Sequence, residues 1–278
     1  MWNGLADKLA APAPDGQGAA RACLIRAPHT KVWRMEAALD TFPPDEPCSV
    51  LCFGAHPDDV EMAMGGTVAA LVAGGSKVGI VDLTRGELGT YGDAPTRLGE
   101  AENAARALGV ARRVYSHPDG GVQDDLKTRH QIVGLLRELR PSLVFAPWPH
   151  ARTGAMDGRA NVDHIACGLA VREATKLARM RKLMAELPSH SVRRLVYYMA
   201  PDTQQPSYCV DVSQFREQIE AGIKAHASQL EIRRGERSVL ELLMMLREEV
   251  GLRLGVQLAE AFMVEDALFG PARILEEI

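Results

Sequence analysis

The sequence SVLCFGAHPDD at residues 49–59 decides the fold that we expect for this chain. An apolar run typical of a buried strand is followed at once by a histidine and two adjacent carboxylates. A strand that ends this way places those side chains at the carboxyl edge of a sheet, where open α/β folds bind their ligands. The stretch therefore predicts both a parallel sheet and a metal site at its edge.

Strand-like and helical segments alternate along the rest of the chain. The predicted strands are Val50–Phe53, Lys77–Leu83, Arg113–Ser116, Ser142–Ala146, Arg194–Met199 and Ser207–Val212. The predicted helices are Gly65–Ala73, Thr96–Leu108, Leu126–Leu139, Asp163–Lys182, Phe215–Leu230 and Val239–Leu254. Because strands separated by helices indicate βαβ units with right-handed crossovers, we predict an α/β fold. Its sheet is expected to be Rossmann-like and mostly parallel, with helices on both faces.

Residues 1–47 differ in character from the rest of the chain. Two Pro-rich stretches, Ala10–Gly16 and Phe42–Pro47, bracket a segment without regular periodicity. We predict an N-terminal extension over residues 1–47 and one catalytic domain over residues 48–278.

Composition narrows the class of protein. Among 278 residues, 46% are apolar and 24% are charged, as in ordinary globular proteins. The net charge of −4 gives no reason to expect a nucleic-acid partner. No apolar run approaches the roughly 18 residues that a membrane span needs, and no secretory signal is evident at the amino terminus. Five cysteines without CxxC spacing indicate a reducing compartment, so we predict a cytoplasmic protein.

Three separated side chains form the candidate metal ligands: His56, Asp59 and His164. Two imidazoles and one carboxylate match the three-ligand sets of catalytic zinc sites, which leave the fourth position for water. A metal there would lower the pKa of water towards about 7 and polarise a carbonyl. The segment that carries His56 and Asp59 and the segment that carries His164 each follow a predicted strand of the same sheet. Their side chains are therefore expected at the same edge of that sheet.

The two adjacent carboxylates can have different roles. Since Asp58 and Asp59 are adjacent in a turn, their side chains should diverge, so that Asp59 binds the metal and Asp58 acts as general base. Simpler interpretations are that the two aspartates cap a helix and that His164 is an exposed residue at a helix start. Asp163 is interpreted as an N-cap and as a residue that orients a site histidine, and both roles can hold.

Several stretches resemble one family, the LmbE-like (PIG-L) zinc-dependent N-acetylglucosamine deacetylases. The similarity covers about residues 49–265 and is closest to the bacillithiol-pathway enzymes that deacetylate N-acetylglucosaminyl-malate. The matching stretches are His56–Glu61, Gly65–Thr67, Asp82–Thr90, Arg97, Glu100-Ala101, Ala104-Ala105, Pro118-Asp119, Val144–Pro147, Leu187–His190, Pro206–Asp211 and Ala259–Phe262.

The resemblance implies a role for each site residue. It implies that His56, Asp59 and His164 bind one zinc ion per subunit, with other divalent metals as alternatives, and that Asp58 is the base. Arg97 would hold the substrate, a small-molecule sugar conjugate, although by itself Arg97 could equally be a surface residue. Glu87 and Tyr91 could line the pocket. The family also implies a homo-oligomer, a trimer or a hexamer. From charge and composition, we expect no nucleic-acid or membrane partner.

The chain departs from the family at the third ligand. The family usually has His-Pro-Asp-His where this chain has Asn161-Val162-Asp163-His164. The missing histidine is the one expected to stabilise the oxyanion or protonate the leaving amine. Asn161 can donate a hydrogen bond to an oxyanion, but it cannot act as an acid.

The loop before Asn161 is longer than the family leads us to expect. This loop, Trp148 to Ala160, carries His150, Arg152 and Arg159, and His150 is the first candidate to replace the missing histidine.

Three other functions remain open. One is an amidase that cleaves a larger acyl group from a thiol conjugate. Another is a zinc-binding relative that has lost catalysis. A nucleotide-binding Rossmann domain is weaker, because the first strand is followed by His-Pro-Asp-Asp rather than by a Gly-rich turn.

Overall fold

The structure, a computed structural model, describes residues 36–150, 161–201 and 204–265. Its strands are β1 (Leu39–Asp40), β2 (Val50–Gly54), β3 (Val78–Thr84), β4 (Ala111–His117), β5 (Leu143–Pro147), β6 (Arg194–Tyr198), β7 (Tyr208–Asp211), β8 (Arg233–Arg234), β9 (Arg237–Ser238) and β10 (Ala259–Phe262). Its helices are α1 (Asp59–Ala73), α2 (Ala94–Leu108), α3 (Leu126–Leu139), α4 (Val162–Leu177), α5 (Arg216–Ala225) and α6 (Val239–Leu254).

The central sheet has the strand order β1-β4-β3-β2-β5-β6. Only the β1–β4 pair is antiparallel, and every other neighbouring pair in this sheet is parallel. The predicted α/β fold with a mostly parallel sheet is therefore confirmed. The chain builds outward from β2 through β3 and β4, and then crosses to β5 on the other side. The strand order reverses at β2, and open α/β sheets bind ligands outside the carboxyl ends of the strands at such a point.

Helices cover both faces of the sheet, and the alternation of side chains along β2 shows why. Leu51 and Phe53 belong to a buried cluster with residues of α3 and α4. Val50 and Cys52 point the other way, into a cluster with residues of α1. Since successive strand residues face opposite sides, a continuous apolar run is what a strand buried on both faces requires.

Helix α1 begins at Asp59, six residues before the predicted start at Gly65. The backbone is non-helical at Met64 (φ −146°, ψ 24°), directly before the predicted start, so α1 consists of two helical segments joined at a kink. Packing explains why Gly66 lies within the second segment. A Cβ added at Gly66 would lie 2.7 Å from Cβ of Val212 and 2.8 Å from Cδ1 of Ile219. The close approach of these side chains to α1 therefore outweighs the low helix propensity of glycine.

Helix α4 ends at Leu177, five residues before the predicted end at Lys182. The buried guanidinium of Arg137 donates to the carbonyls of Ala178, Met180 and Met184 in the chain beyond the helix. These carbonyls are thereby satisfied outside an α-helix, which allows the chain to turn away.

Four short strands, β1, β8, β9 and β10, were not predicted. Strand β1 lies inside the predicted extension, of which residues 1–35 lie outside the described residues, and it pairs with β4 as the edge strand of the central sheet. Strand β10 pairs with β7 in a separate antiparallel ribbon. The predicted helix Phe215–Leu230 is divided at His226 into α5 and a 3₁₀ helix, Ala227–Glu231. Among the described residues, no helix combines the length and the apolar character that a membrane span requires.

Candidate metal centre

The turn between β2 and α1 is organised by the carboxylate of Asp59. Its Oδ2 accepts hydrogen bonds from the backbone N–H groups of Ala55, at 2.8 Å, and His56, at 2.9 Å. Its Oδ1 lies 3.0 Å from Nε2 of His164. The carboxylate is therefore held by its own turn on one side while the other oxygen faces the candidate ligands. The side chain of Asp58 makes no capping bond to the helix, which excludes the simple capping interpretation for it.

His56, Asp59 and His164 converge on one buried point. Nδ1 of His56 lies 3.3 Å from Nε2 of His164, and 3.7 Å from Oδ2 of Asp59. A tetrahedral ion with bonds of about 2.0–2.1 Å holds two nitrogen ligands about 3.3 Å apart. The spacing of the imidazoles thus fits a zinc-like ion, and the donor set is one that zinc prefers.

The far side of the His56 ring faces two more carboxylates. Its Nε2 lies 3.0 Å from Oδ1 of Asp119 and 3.3 Å from Oδ2 of Asp163. Burial lowers the pKa of His56, but the hydrogen bonds to Asp119, Asp163 and Asp59 outweigh burial and raise it to about 12 in the metal-free protein. These carboxylates hold the proton on Nε2, so Nδ1 is the nitrogen that would lose its proton and bind a cation.

Asn161, and not Asp163, caps helix α4. Oδ1 of Asn161 accepts a hydrogen bond from the backbone N–H of Asp163, at 2.8 Å. The N-cap interpretation of Asp163 is therefore wrong. The Asp163 carboxylate is wholly buried and accepts from the backbone N–H groups of Gly120 and Val122, while Oδ2 faces His56. This is the position of a residue that orients a ligand.

The two adjacent aspartates have opposite electrostatic environments. Burial raises the pKa of Asp58, although the guanidinium of Arg97 opposes this shift. Burial also disfavours ionised Asp59, but His164 and His56 outweigh it and hold its pKa well below the usual range. One carboxylate is thus prepared to accept a proton and the other to stay ionised. Asp58 has a φ of 138°, a strained conformation of the kind that occurs at functional sites.

Arg97 lies beneath Asp58. Only 3% of its surface is exposed, which excludes the surface interpretation. Its Nη2 donates to Oδ2 of Asp58 at 2.9 Å and to the carbonyl of Pro57 at 2.6 Å, and its Nη1 donates to the carbonyl of Gly86 at 3.0 Å. The structure therefore shows Arg97 positioning the candidate base, and a direct contact with substrate stays a prediction.

The loop after β3 contacts the same site. Oε1 of Glu87 accepts from the backbone N–H of Asp119 at 3.3 Å, and Tyr91 is 41% exposed. Asp119 belongs to a stretch that resembles the family, but sequence reasoning assigned it no role. The signal that could have found it is its position directly after β4, since parallel strands end at the same edge of a sheet.

A buried ionic network lies below the site. The guanidinium of Arg112 on β4 contacts the carboxylates of Glu61 on α1 and Asp82 on β3, and all three side chains are wholly buried. Burial and this arginine act in opposite directions on Asp82, and burial prevails, so the pKa of Asp82 rises to about 7. The network joins the helix that follows the metal ligands to two strands of the sheet.

His150, the first candidate in the long loop, does not lie among the metal ligands. Nε2 of His150 lies 3.0 Å from Oε1 of Glu265, which is also 3.6 Å from Arg172, two turns beyond His164 on α4. The structure thus pairs His150 with Glu265 instead of placing it among the metal ligands. The prediction that it replaces the family histidine is not supported by this position. Arg152 and Arg159 lie outside the described residues.

Comparisons with known proteins agree with this geometry. The family model PIG-L, described as GlcNAc-PI de-N-acetylase, matches residues 51–175. Diacetylchitobiose deacetylase of Thermococcus kodakarensis is 30% identical over 65% of this chain and 69% of its own length. The 1D-myo-inositol 2-acetamido-2-deoxy-alpha-D-glucopyranoside deacetylase of Mycobacterium leprae is 30% identical over 37% of this chain and 44% of its own length.

A solved structure extends the match over most of the chain. The conserved protein TT1542 of Thermus thermophilus superposes with a TM-score of 0.72 and 36% identity, over 81% of this chain and 98% of that protein. The family match, the sequence identities and the structural similarity lead to one assignment. This chain belongs to the PIG-L family, the LmbE-like deacetylases that its sequence resembles.

Proposed function

We propose that this chain is a metal-dependent hydrolase that removes the N-acetyl group from a GlcNAc-type conjugate, giving acetate and a free amine. One observation carries the proposal. Asp58, whose side chain is buried and whose backbone is strained, lies next to a cluster of two imidazoles and a carboxylate suited to a divalent ion. Family membership supports the same reaction class, because the relatives are named as deacetylases of GlcNAc-containing compounds.

We propose that His56, Asp59 and His164 hold the ion, with zinc as the first candidate. When bound, such an ion polarises an acetyl carbonyl and lowers the pKa of water. Asp163 and Asp119 hold the Nε2 proton of His56, so that Nδ1 remains a ligand.

The proposed role of Asp58 is to move a proton twice. It first takes a proton from the attacking water as the new C–O bond forms, and its raised pKa suits this task. It then returns the proton to the amine nitrogen as the C–N bond breaks. This second step matters here, because Asn161 cannot supply a proton where the family usually has a histidine.

Asn161 is proposed to help hold the oxyanion. Its Oδ1 is occupied by the backbone N–H of Asp163, so the carbonyl end of the amide points into the helix. The amide nitrogen at the other end carries the donors that an oxyanion needs.

The substrate is proposed at two levels. The coarser level is a small-molecule GlcNAc conjugate. More specifically, we propose N-acetylglucosaminyl-malate of the bacillithiol pathway as the substrate. Arg97 and Glu87 are the residues proposed to bind it. The relatives named above carry chitobiose and inositol compounds in their names, so these are the competing substrates to compare.

Acetate release is the test of the proposed function. Metal-free protein, and the same protein with one equivalent of zinc, are incubated with N-acetylglucosaminyl-malate, diacetylchitobiose and GlcNAc-inositol. We expect release only with the metal and only with an intact Asp58. Faster cleavage of a bulky acyl group than of acetyl would favour the amidase alternative. Tight zinc binding without any release would favour a relative that has lost catalysis.

The subunit count is a separate proposal. We propose a homo-oligomer, a trimer or a hexamer, as the family resemblance implies. Light scattering at several protein concentrations measures the mass, and a monomer at all of them would contradict the proposal.

A further inference from the structure

A short turn after α5 contacts three elements that surround the candidate metal centre. We call it the clamp turn and define it as residues 226–229. The ring of His226 is wholly buried, and its Nε2 lies 3.4 Å from Oε1 of Glu61 on α1. None of these four residues has a role in the proposed reaction, so their buried polar contacts need another explanation.

Ser228 fastens the clamp turn to helix α2. Its backbone N–H donates to Oε1 of Glu100 at 2.6 Å, and its hydroxyl donates to Oε2 at 2.8 Å. Glu100 is buried and lies three residues after Arg97, on the same face of the helix. The clamp turn is therefore tied to the helix that carries the arginine beneath Asp58.

Gln229 fastens the clamp turn to the loop after β3, residues 85–93, which we call the pocket loop. Its Nε2 donates to the carbonyl of Tyr91 at 2.8 Å. The two segments also touch at Gly92, where φ is 76° and an added Cβ would lie 2.7 Å from Oγ of Ser228. The pocket loop is thus both hydrogen-bonded to the clamp turn and packed against it.

The pocket loop in turn contacts two residues of the site. The carbonyl of Gly86 accepts from Arg97 at 3.0 Å, and the backbone N–H of Leu88 donates to Oδ2 of Asp119 at 2.8 Å. Arg97 positions Asp58, and Asp119 positions His56. A continuous chain of contacts therefore leads from Ser228 and Gln229 to the candidate base, without either residue touching the reactants.

We infer that the clamp turn sets the position of the pocket loop and thereby of Asp58, so that Ser228 and Gln229 are positioning residues for the reaction. The metal ligands His56, Asp59 and His164 lie outside the pocket loop. Loosening the clamp should therefore reduce catalysis while metal binding is retained. The kinetic part of this inference rests on the proposed function.

The test compares Ser228→Ala and Gln229→Met with the wild type, and uses Glu231→Gln, an exposed residue of the same 3₁₀ helix, as the control. We expect faster hydrogen exchange at residues 86–92 in both variants, as in any segment that has lost local stability. We expect kcat/KM to fall roughly 10- to 100-fold, as for a small misplacement of catalytic groups. The dissociation constant for zinc should change far less than kcat/KM, because no ligand is removed and His56 contacts Oδ1 of Asp119, whereas the pocket loop holds Oδ2.

A rescue pair separates positioning from general stability. Glu100→Ala removes both acceptors of Ser228, whereas Glu100→Gln keeps one oxygen for the backbone N–H of Ser228. We expect Glu100→Ala to lose activity and to show faster hydrogen exchange at residues 86–92. Glu100→Gln should keep most of the wild-type activity and the slow exchange. Exchange at residues 86–92 that matches the wild type in all clamp variants would overturn the inference. So would zinc affinity that falls in parallel with activity. If the wild type deacetylates nothing, the proposed function fails, and the exchange data still decide the inference.

Discussion

The two segments that supply the metal ligands differ in how completely their side chains are buried. In the turn at residues 54–59, His56, Asp58 and Asp59 are all buried, and the backbone itself donates to Asp59. At the start of α4, an exposed side chain lies next to a buried one: Val162 is 65% exposed, whereas Asp163 beside it is wholly buried. Within this helix start, the departures from the family pattern fall on Asn161 and Val162, and neither of these is buried.

This difference indicates which part of the site has been free to change. Buried ligands and their partners must keep their chemistry, since an unpaired buried charge is costly. Side chains at the rim carry no such penalty and can change with the substrate. We therefore expect the metal chemistry of this chain to match its family and the substrate preference to differ, and substitutions in the two segments test that expectation.

The largest effect is expected for Asp59→Asn in the buried turn at residues 54–59. The amide keeps an oxygen for the backbone N–H groups of Ala55 and His56, so the fold should survive. Loss of the negative ligand should weaken zinc binding by more than about 100-fold, beyond the loss typical of an outer partner, and should abolish acetate release. Calorimetric titration with zinc measures the affinity. An unchanged affinity would show that the ion binds elsewhere.

Asp58→Asn should separate catalysis from metal binding. The rate should fall by about 10²- to 10⁴-fold, because the amide cannot accept a proton from water. The zinc affinity should remain close to that of the wild type, since Asp58 is not among the clustered ligands. Single-turnover acetate release and zinc titration are measured on the same preparation. A wild-type rate would remove Asp58 from the mechanism.

Asp163→Asn tests whether the buried partner behind His56 tunes the ligand. Replacing this carboxylate should weaken zinc binding by about 10- to 100-fold, as is usual for groups that orient metal-bound histidines. The matched control is Val162→Ala, the exposed neighbour, which should leave zinc affinity unaltered. Equal effects of the two substitutions would mean that the rim and the buried positions do not differ.

The smallest effects are expected for the rim residue Asn161. Asn161→Ala removes the helix cap and should lower the free energy of unfolding by about 1 kcal/mol. Asn161→Ser keeps a capping oxygen but loses the amide donors, so stability should be retained. Its rate should fall by no more than about tenfold, because the metal remains to polarise the carbonyl. A far larger loss with Asn161→Ser would make the amide the main oxyanion donor.

The sequence predicted the elements that follow simple periodicity. The central strands, the sheet edge and the convergence of His56 with His164 all follow from apolar runs and from where parallel strands end. The cap of α4 was misplaced by two residues, because Asn161 and Asp163 are both good capping types and only the structure distinguishes them.

Other features depend on contacts between distant parts of the chain. The sequence alone did not reveal that Arg97 points at Asp58, 39 positions earlier, or that the clamp turn contacts the pocket loop. Strand β1, with two residues, is too short to show alternation. Helix α1 begins early because a helical segment from Asp59 joins the predicted helix across a kink at Met64, which apolar periodicity did not indicate.

The 108 positions between His56 and His164 also affect how the protein folds. A growing polypeptide that has not yet placed β5 beside β2 has no complete set of ligands, so the ion can be captured only after this crossover closes. An ion that binds the finished molecule and not the unfolded chain shifts the equilibrium towards folding, by about 4 kcal/mol at a thousandfold excess over its dissociation constant. Zinc supply during synthesis should therefore raise the yield of folded protein as well as its activity.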